Sequence, residues 1–251
     1  MTTGMFITDF DGVVCDSVTE CFLVTYNARG KLRNSSFERV REIETLPVEQ
    51  RQEFRRLRVY LKGAEDFIPL LMSMEQGIDV KDQESFDRFK ESLQAELPEF
   101  LAAFYAERDF LLQHEKELWL SLNPLFDKVG TAFQERESFE NLRVLTTKRQ
   151  IDACEIFKFQ GIDFPEEYIL YVKAADKPQR LSELLATYKA TCEKSIYVED
   201  QVDFLVASQK QNIASFLTDW GYVSPEQRER AAQNGIPMIS QDRYCELLSR
   251  F

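Results

Sequence analysis

The second half of the chain alternates between segments typical of β-strands and segments typical of α-helices. After Pro124, short apolar segments rich in β-branched residues are separated by amphipathic segments of helical period. The strand-like segments are LRVLTT, YILYV, SIYVED and IASFLTD, with PMIS as a short candidate edge strand. Regular alternation of this kind predicts βαβ units, and therefore a parallel sheet covered by helices on both faces.

A further strand is predicted near the N-terminus, and a long helical segment separates it from the others. Residues 5–9 form a short apolar run that stops at Asp9, and residues 17–29 have helical character. From about 35 to 122 the sequence is charged, with apolar residues spaced by three and four. This spacing predicts several amphipathic helices and no strand.

These patterns predict two domains. Residues 1–16 and 123–251 are expected to form one doubly wound α/β core, and residues 17–122 an all-helical domain inserted after its first strand. In an open parallel sheet, ligands bind beyond the carboxyl ends of the strands. Functional side chains are therefore expected at those ends.

Composition excludes several classes of function. Lys and Arg number 31 against 43 Asp and Glu, so the net charge of −12 argues against a nucleic-acid partner or an anionic membrane surface. The five cysteines form no CxxC pair, and the single histidine, His114, lies in a helical segment, which argues against zinc and against a histidine base. No long apolar segment or signal-peptide pattern is present, so we expect a soluble, cytoplasmic protein.

The predicted strand ends carry polar side chains. In chain order these are Asp9 and Asp11, Thr146 and Thr147, Lys177 a few residues beyond a strand, and Glu199 and Asp200. Carboxylates that converge on one crevice require a cation or a shared proton, and Mg²⁺ prefers oxygen ligands while bridging to a phosphate. A lysine and a threonine hydroxyl are suited to binding an anion. Together these groups are what phosphoryl transfer requires.

Four short motifs, DFDGVVCDS, VLTT, DKPQ and YVED, occur in this order at the predicted strand ends. In this respect the chain resembles the haloacid dehalogenase (HAD) superfamily, in its phosphatase branch. That family carries DxD after the first strand, Ser or Thr after the second, a lysine ahead of a helix, and an acidic pair after the fourth strand. The resemblance covers residues 4–16 and about 124–245, and the helical insertion matches the family's C1 cap in position and character.

The resemblance implies a role for each motif residue. Asp9 would be the nucleophile that forms an aspartyl-phosphate, and Asp11 the general acid and base. Thr146 would hold the phosphoryl group, and Lys177 would neutralise the nucleophile and the phosphate. Glycine at position 12 would let the backbone turn close to the phosphate.

The resemblance also implies a Mg²⁺ site. Asp9 would ligate the ion through its side chain and Asp11 through its backbone carbonyl, and Glu199 and Asp200 would complete the site. Because a model aspartate has a pKa of about 3.9, keeping Asp11 half protonated near pH 7 requires roughly 4 kcal/mol. We expect burial under a closed cap and hydrogen bonding to supply this shift, against the opposing effect of the metal.

Three of these assignments have alternatives. Thr147 is the second choice for the phosphate-binding threonine. Lys148 and Lys173 compete for the role of the motif lysine. Asp203 follows the acidic pair closely, so the register of the acidic motif could include it, or it could only orient the pair from outside the metal site.

The helical insertion offers further candidates for substrate binding. Arg55, Arg58 and Lys62 are spaced by three and four, which predicts that they share one helical face. A solvated basic face is the simpler interpretation. Alternatively, Arg58 or Lys62 contacts a substrate anion, in addition to the core candidates Gly12 and Thr147.

The predicted function is a Mg²⁺-dependent phosphatase that hydrolyses a small phosphorylated metabolite through an aspartyl-phosphate. A phosphomutase of the β-phosphoglucomutase kind uses the same core residues, and a non-catalytic HAD-like binding protein is the alternative of another class. Asp11 argues against a dehalogenase, which does not need a second aspartate. A helical lid that excludes water favours a small-molecule substrate.

Overall fold

The computed structural model describes residues 4–251. The chain divides into two compact units. The first, which we call the core unit, contains the residues up to Asp16 together with Leu125–Phe251, and the second, the helical unit, is Ser17–Pro124. The α/β unit is thus built from two separated parts of the chain.

The helical unit contains α-helices joined by turns and short 3₁₀ segments, and no strand occurs in residues 17–124. Its helices are α1 Val18–Arg33, α2 Val48–Leu57, α3 Phe67–Glu75, α4 Gln83–Glu91, α5 Leu97–His114 and α6 Lys116–Ser121. Proline residues stand before or near the start of several of these helices, where no backbone hydrogen bond is lost. No helix in residues 4–251 is long and apolar enough to span a bilayer.

A buried ion pair connects three helices of this unit. Glu20 of α1 has no exposed surface, and Arg108 of α5 donates to both of its carboxylate oxygens at 2.9 Å. Trp119 of α6 donates from Nε1 to Oε1 of the same carboxylate at 2.8 Å. These bonds compensate the cost of burying the charges, so the helices are held in one arrangement.

The core unit is built on a parallel sheet of six strands among the described residues, in the order β3-β2-β1-β4-β5-β6. The strands are β1 Phe6–Thr8, β2 Leu142–Thr146, β3 Ile169–Tyr171, β4 Ile196–Glu199, β5 Ala214–Thr218 and β6 Met238–Ile239. The predicted α/β class and parallel sheet are confirmed. The PMIS segment forms β6 at one edge, as predicted.

Helices cover both faces of this sheet. They are α7 Asp127–Gln134, α8 Gln150–Phe159, α9 Lys177–Thr187, α10 Val202–Ser208, α11 Pro225–Gln233 and α12 Gln241–Leu248. On one face Ile7 belongs to a buried cluster with Leu181 of α9 and Leu205 of α10. On the other, the ring of Phe6 lies edge-on to Tyr244 of α12, with 5.1 Å between ring centroids. Consecutive residues of β1 therefore serve opposite layers of the core.

The strand order determines where the site lies. Strand β1 is central, and the chain runs outward from it to β2 and β3 on one side and to β4, β5 and β6 on the other. Thr8 is in register with Val144 of β2 and Val198 of β4. The residues that follow these three strands therefore meet at one edge, at the point where the strand order reverses.

Candidate active site

The chain turns sharply after β1 and brings Asp9 to the edge of the sheet. The Asp9 N–H donates to the Val198 carbonyl at 3.0 Å, which extends the pairing with β4 by one residue. Gly12 has a φ of +83°, and a Cβ at this position would lie 2.0 Å from Oδ2 of Asp200. Only glycine accommodates both the backbone conformation and the close approach of this carboxylate.

Three buried carboxylates converge at this edge. Asp9, Glu199 and Asp200 each offer an oxygen, and these oxygens lie within 4.8 Å of one another. Among the described residues, Oδ1 of Asp9 and Oε2 of Glu199 have no hydrogen-bond partner. Burial raises the pKa of Glu199 well above its usual range, and the charges of Asp9 and Asp200 add to this effect. The cluster is therefore deficient in positive charge.

Lys177 supplies part of that charge. It is the first residue of α9, where the following proline favours a helix start. Its Nζ lies 3.1 Å from Oδ2 of Asp9 and 2.9 Å from Oε1 of Glu199. Burial acts to lower the pKa of Lys177, but the two carboxylates outweigh it and raise the pKa to about 12. The lysine is therefore cationic at neutral pH.

The donor set fits a divalent cation. One lysine cannot balance three carboxylates, and two buried carboxylate oxygens lack a partner. All three ligand candidates are oxygen donors, and neither cysteine nor histidine is in the cluster, which matches the preference of Mg²⁺ rather than that of zinc. Asp9, Glu199 and Asp200 are the residues that could hold such an ion.

A second lysine contacts the second aspartate of the DxD motif. Lys148 Nζ lies 3.1 Å from Oδ1 of Asp11, and the side chain of Lys148 is fully buried. This contact favours the ionised form of Asp11, which opposes the upward shift of its pKa that we expected from burial and hydrogen bonding. From the sequence, Lys148 was only an alternative to Lys177, whereas in the structure the two lysines contact different aspartates.

The threonine pair lies at the end of β2. Thr146 is buried, and its Oγ1 accepts a hydrogen bond from the backbone N–H of Lys148 at 3.1 Å. Thr147 is half-buried in the turn that follows. Because β2 is adjacent to β1, both threonines are at the same edge of the sheet as Asp9.

Two of the sequence alternatives, Asp203 and Lys173, have other surroundings. Asp203 lies on α10 and forms an ion pair with Arg230 of α11. Lys173 is exposed ahead of α9. Asp203 is not one of the three carboxylates of the cluster found among residues 4–251.

One supporting contact was not predicted. The backbone N–H of Tyr222 donates to Oδ2 of Asp200 at 3.1 Å, and its hydroxyl donates to Oδ1 of Asp16 at 2.9 Å. The approach is possible because residue 221 is glycine: a Cβ there would lie 2.3 Å from the Gly12 carbonyl oxygen. Gly221 is the only signal of this contact in the sequence, and a glycine alone does not identify Asp200 as the partner.

The prediction that Arg55, Arg58 and Lys62 share one helical face is wrong. Helix α2 ends at Leu57, and a 3₁₀ turn over Arg58–Tyr60 follows. Arg58 is buried, donates from Nη1 to the Leu61 carbonyl at 2.9 Å and lies over the ring of Phe67. Lys62 lies beyond the turn, where its backbone N–H donates to Asp66 at 2.8 Å.

Comparisons with known proteins agree with this architecture. No protein-family model and no curated protein matches the sequence. A solved structure from Haemophilus somnus, described as a predicted phosphoglycolate phosphatase, is 14% identical with a TM-score of 0.59, and covers 99% of each chain. A predicted phosphatase from Clostridium acetobutylicum is 13% identical with a TM-score of 0.57, and covers 100% of each chain.

A haloacid dehalogenase-like hydrolase from Streptococcus pneumoniae is 14% identical, with a TM-score of 0.56, and covers 95% of this chain and 93% of its own. This chain has the fold of the haloacid dehalogenase-like hydrolases and phosphatases. The similarity extends over nearly the full length of both partners, so it includes the helical unit as well as the sheet.

Proposed function

We propose that the protein is a Mg²⁺-dependent phosphatase that hydrolyses a small phosphorylated metabolite through phosphorylation of Asp9. One observation carries the proposal. Asp9 follows the central strand with one oxygen on Lys177 and the other without a partner, inside a cluster of buried carboxylates. A carboxylate beside a lysine and a candidate cation site is suited to attack phosphorus.

The reaction has two displacements at phosphorus. In the first, a carboxylate oxygen of Asp9 bonds to phosphorus while the bond from phosphorus to the leaving oxygen breaks, and Asp11 gives that oxygen its proton. In the second, Asp11 takes a proton from water as the water oxygen bonds to phosphorus. The bond from phosphorus to Asp9 then breaks, which releases inorganic phosphate and restores Asp9.

Lys148 accounts for the two protonation states of Asp11. Its contact with Oδ1 of Asp11 favours the ionised carboxylate, which is the form that the second displacement requires. The first displacement requires a protonated Asp11. A bound phosphate gives Lys148 a competing anion, which weakens its stabilisation of the Asp11 charge and raises the tendency of Asp11 to hold a proton.

The remaining core residues bind the phosphoryl group. Lys177 offsets the charge of Asp9, and the hydroxyl of Thr146 or Thr147 and the backbone N–H groups after Asp11 are candidate donors to the phosphoryl oxygens. Bound Mg²⁺ would offset negative charge on the phosphoryl oxygens and on its carboxylate ligands.

The proposal includes a cytoplasmic location and a small-molecule substrate. All five cysteines are free, which is usual for a protein of a reducing compartment. The net charge of −12 does not favour a nucleic-acid substrate.

The test is hydrolysis of p-nitrophenyl phosphate by the wild type, by Asp9→Asn and by Asp203→Asn. The last variant makes the same chemical change at an acid that pairs with Arg230 outside the cluster. We expect activity with Mg²⁺ that is lost in EDTA and lost in Asp9→Asn, but kept in Asp203→Asn.

Activity that survives Asp9→Asn or EDTA would contradict the proposal. A folded, Mg²⁺-binding protein that hydrolyses neither p-nitrophenyl phosphate nor a panel of sugar and nucleotide phosphates would instead support a phosphomutase or a binding protein.

A further inference from the structure

The segment that follows β5 contacts both the carboxylate cluster and the turn after β1. We call this segment, residues 219–223, the β5 loop, and we call residues 9–16 the β1 loop. None of residues 219–223 belongs to a helix or a strand, so no regular pattern of backbone hydrogen bonds fixes the β5 loop. Its conformation therefore depends on the individual contacts that it makes.

The backbone of the β5 loop comes close to two parts of the site at Gly221. The point that a Cβ would take there lies 2.3 Å from the carbonyl oxygen of Gly12 and 2.7 Å from Cβ of Asp200. Gly12 belongs to the β1 loop, and Asp200 is one of the three candidate metal ligands. The β5 loop thus packs against the β1 loop and a ligand candidate together, with no space for a side chain.

Two side chains of the β5 loop donate hydrogen bonds to the β1 loop, one from each side of Gly221. Trp220 donates from Nε1 to the Val13 carbonyl at 3.1 Å. Tyr222 donates from its hydroxyl to Oδ1 of Asp16 at 2.9 Å. The two loops are therefore attached to each other at two points.

Tyr222 differs from Trp220 because it also contacts a ligand candidate. Tyr222 is buried, and its backbone N–H donates to Oδ2 of Asp200 at 3.1 Å. Partners of this kind, outside a metal site, orient the side chains that ligate the ion. The N–H points at Asp200 in the same conformation in which the hydroxyl reaches Asp16. The hydroxyl bond therefore favours the orientation that the N–H bond needs.

We propose that Tyr222 is a positioning residue of the metal site, because its bond to Asp16 holds the β5 loop in the conformation that orients Asp200 towards the ion. The inference rests on the proposed Mg²⁺-dependent function and adds to it a residue that does not itself ligate the ion. The hydroxyl of Tyr222 takes no part in bond making or breaking. Its effect on turnover passes through the affinity for Mg²⁺.

The experiment measures the Kd for Mg²⁺ by calorimetry, in the metal-free full-length protein at a temperature where every variant is folded. The variants are Tyr222→Phe and, as the matched control, Tyr60→Phe. The Tyr60 hydroxyl donates to the Lys81 carbonyl at 2.9 Å within the helical unit. Both changes thus remove one hydroxyl and its hydrogen bond from a buried tyrosine.

In Tyr222→Phe we expect the Kd for Mg²⁺ to rise about threefold to tenfold. Loss of a direct partner of a ligand typically costs about 10- to 100-fold in metal affinity, and here the direct partner, the backbone N–H, remains. The Mg²⁺ concentration for half-maximal hydrolysis of p-nitrophenyl phosphate should rise by the same factor, and saturating Mg²⁺ should restore the rate. Tyr60→Phe should leave the Kd within about twofold, because its bond joins two residues of the helical unit.

Asp16→Ala tests whether the effect passes through the hydroxyl bond. In the Asp16→Ala background, Tyr222→Phe should change the Kd for Mg²⁺ by less than about twofold, since the acceptor of the hydroxyl is already absent. An effect as large as in the wild-type background would show that the hydroxyl does not act through Asp16, and it would overturn the inference.

Two further results would overturn it. A Tyr222→Phe protein that is less stable to urea in EDTA but binds Mg²⁺ as the wild type does would give the hydroxyl a purely structural role. An equal rise of the Kd in Tyr60→Phe would mean that the loss of any such bond weakens the site. If the wild type binds Mg²⁺ but hydrolyses no phosphate ester, the phosphatase function fails, while the calorimetry still decides the role of Tyr222. If the wild type binds no Mg²⁺, both fail.

Discussion

Replacing two buried tyrosines of the core unit by phenylalanine should change the free energy of unfolding in opposite directions. Tyr197 of β4 is 1% exposed, and its hydroxyl has no hydrogen-bond partner within residues 4–251. Tyr244 of α12 is equally buried, and its hydroxyl donates to Oγ1 of Thr8 at 3.1 Å. Replacing either by phenylalanine removes one oxygen and keeps the ring, so the two changes differ only in the hydrogen bond.

The expected magnitudes follow from the hydrogen bonds. A buried hydroxyl without a partner costs about 1–3 kcal/mol, so Tyr197→Phe should raise the free energy of unfolding by about that amount. Tyr244→Phe should lower it by about 0.5–1.5 kcal/mol, because a made hydrogen bond is lost. Burial, followed by the charges of Glu199, Asp9 and Asp200, raises the pKa of Tyr197 well above its usual value. The phenol therefore stays neutral, and the gain should not vary between about pH 6 and 9.

The measurement is urea unfolding of the wild type and both variants in EDTA, followed by circular dichroism. The comparison requires that the urea dependence of the unfolding free energy stay the same in all three proteins. If Tyr197→Phe were as destabilising as Tyr244→Phe, the Tyr197 hydroxyl would have a partner in solution.

Three further predictions concern the metal site and the helical unit. Gly12→Ala should destabilise the protein by about 1–2 kcal/mol through its positive φ and should weaken Mg²⁺ binding in calorimetry, because its Cβ would displace Asp200; unchanged affinity would contradict the close approach. Mg²⁺ at 100 times its Kd should raise the free energy of unfolding by about 2.7 kcal/mol, and Asp200→Asn should remove most of this gain; a gain that persists in the variant would place the ion elsewhere. Arg108→Met should destabilise by about 3–5 kcal/mol, against about 0.5 kcal/mol or less for Arg56→Met in an exposed pair; similar values in urea unfolding would mean that the buried pair is not the stronger contact.

The fold could be predicted because its signals are local. Short apolar segments such as LRVLT and IYVE lie in the buried centre of a parallel sheet, where nearly every residue faces a helix layer, and this leaves a pattern that the sequence displays directly. The position of Asp9 beside Glu199 also follows from a general rule, because β1 and β4 are neighbours at the switch point of the sheet.

Contacts that depend on the path of loops could not be predicted. The sequence offered several lysines for one role, and only the turn after β2 determines that Lys148 contacts Asp11. The end of α2 at Leu57 has no Gly or Pro beside it in the sequence, so the spacing of Arg55, Arg58 and Lys62 gives no sign that the α-helix stops between them. The bond from Tyr222 to Asp200 joins residues far apart in the sequence, so no local pattern indicates it.

On the proposed mechanism, Asp9 and Asp11 must behave differently although they are the same residue type two positions apart. Asp9 must stay ionised, and its lysine is fixed by a second carboxylate, Glu199, so the positive charge remains when a substrate binds. Asp11 must exchange a proton, and its lysine, Lys148, lies in the turn that is expected to bind phosphate. A bound anion can therefore compete with Asp11 for Lys148, while Lys177 keeps its ion pairs with Asp9 and Glu199. Two lysines with different second partners thus give two identical side chains the different electrostatic surroundings that a nucleophile and an acid–base catalyst require.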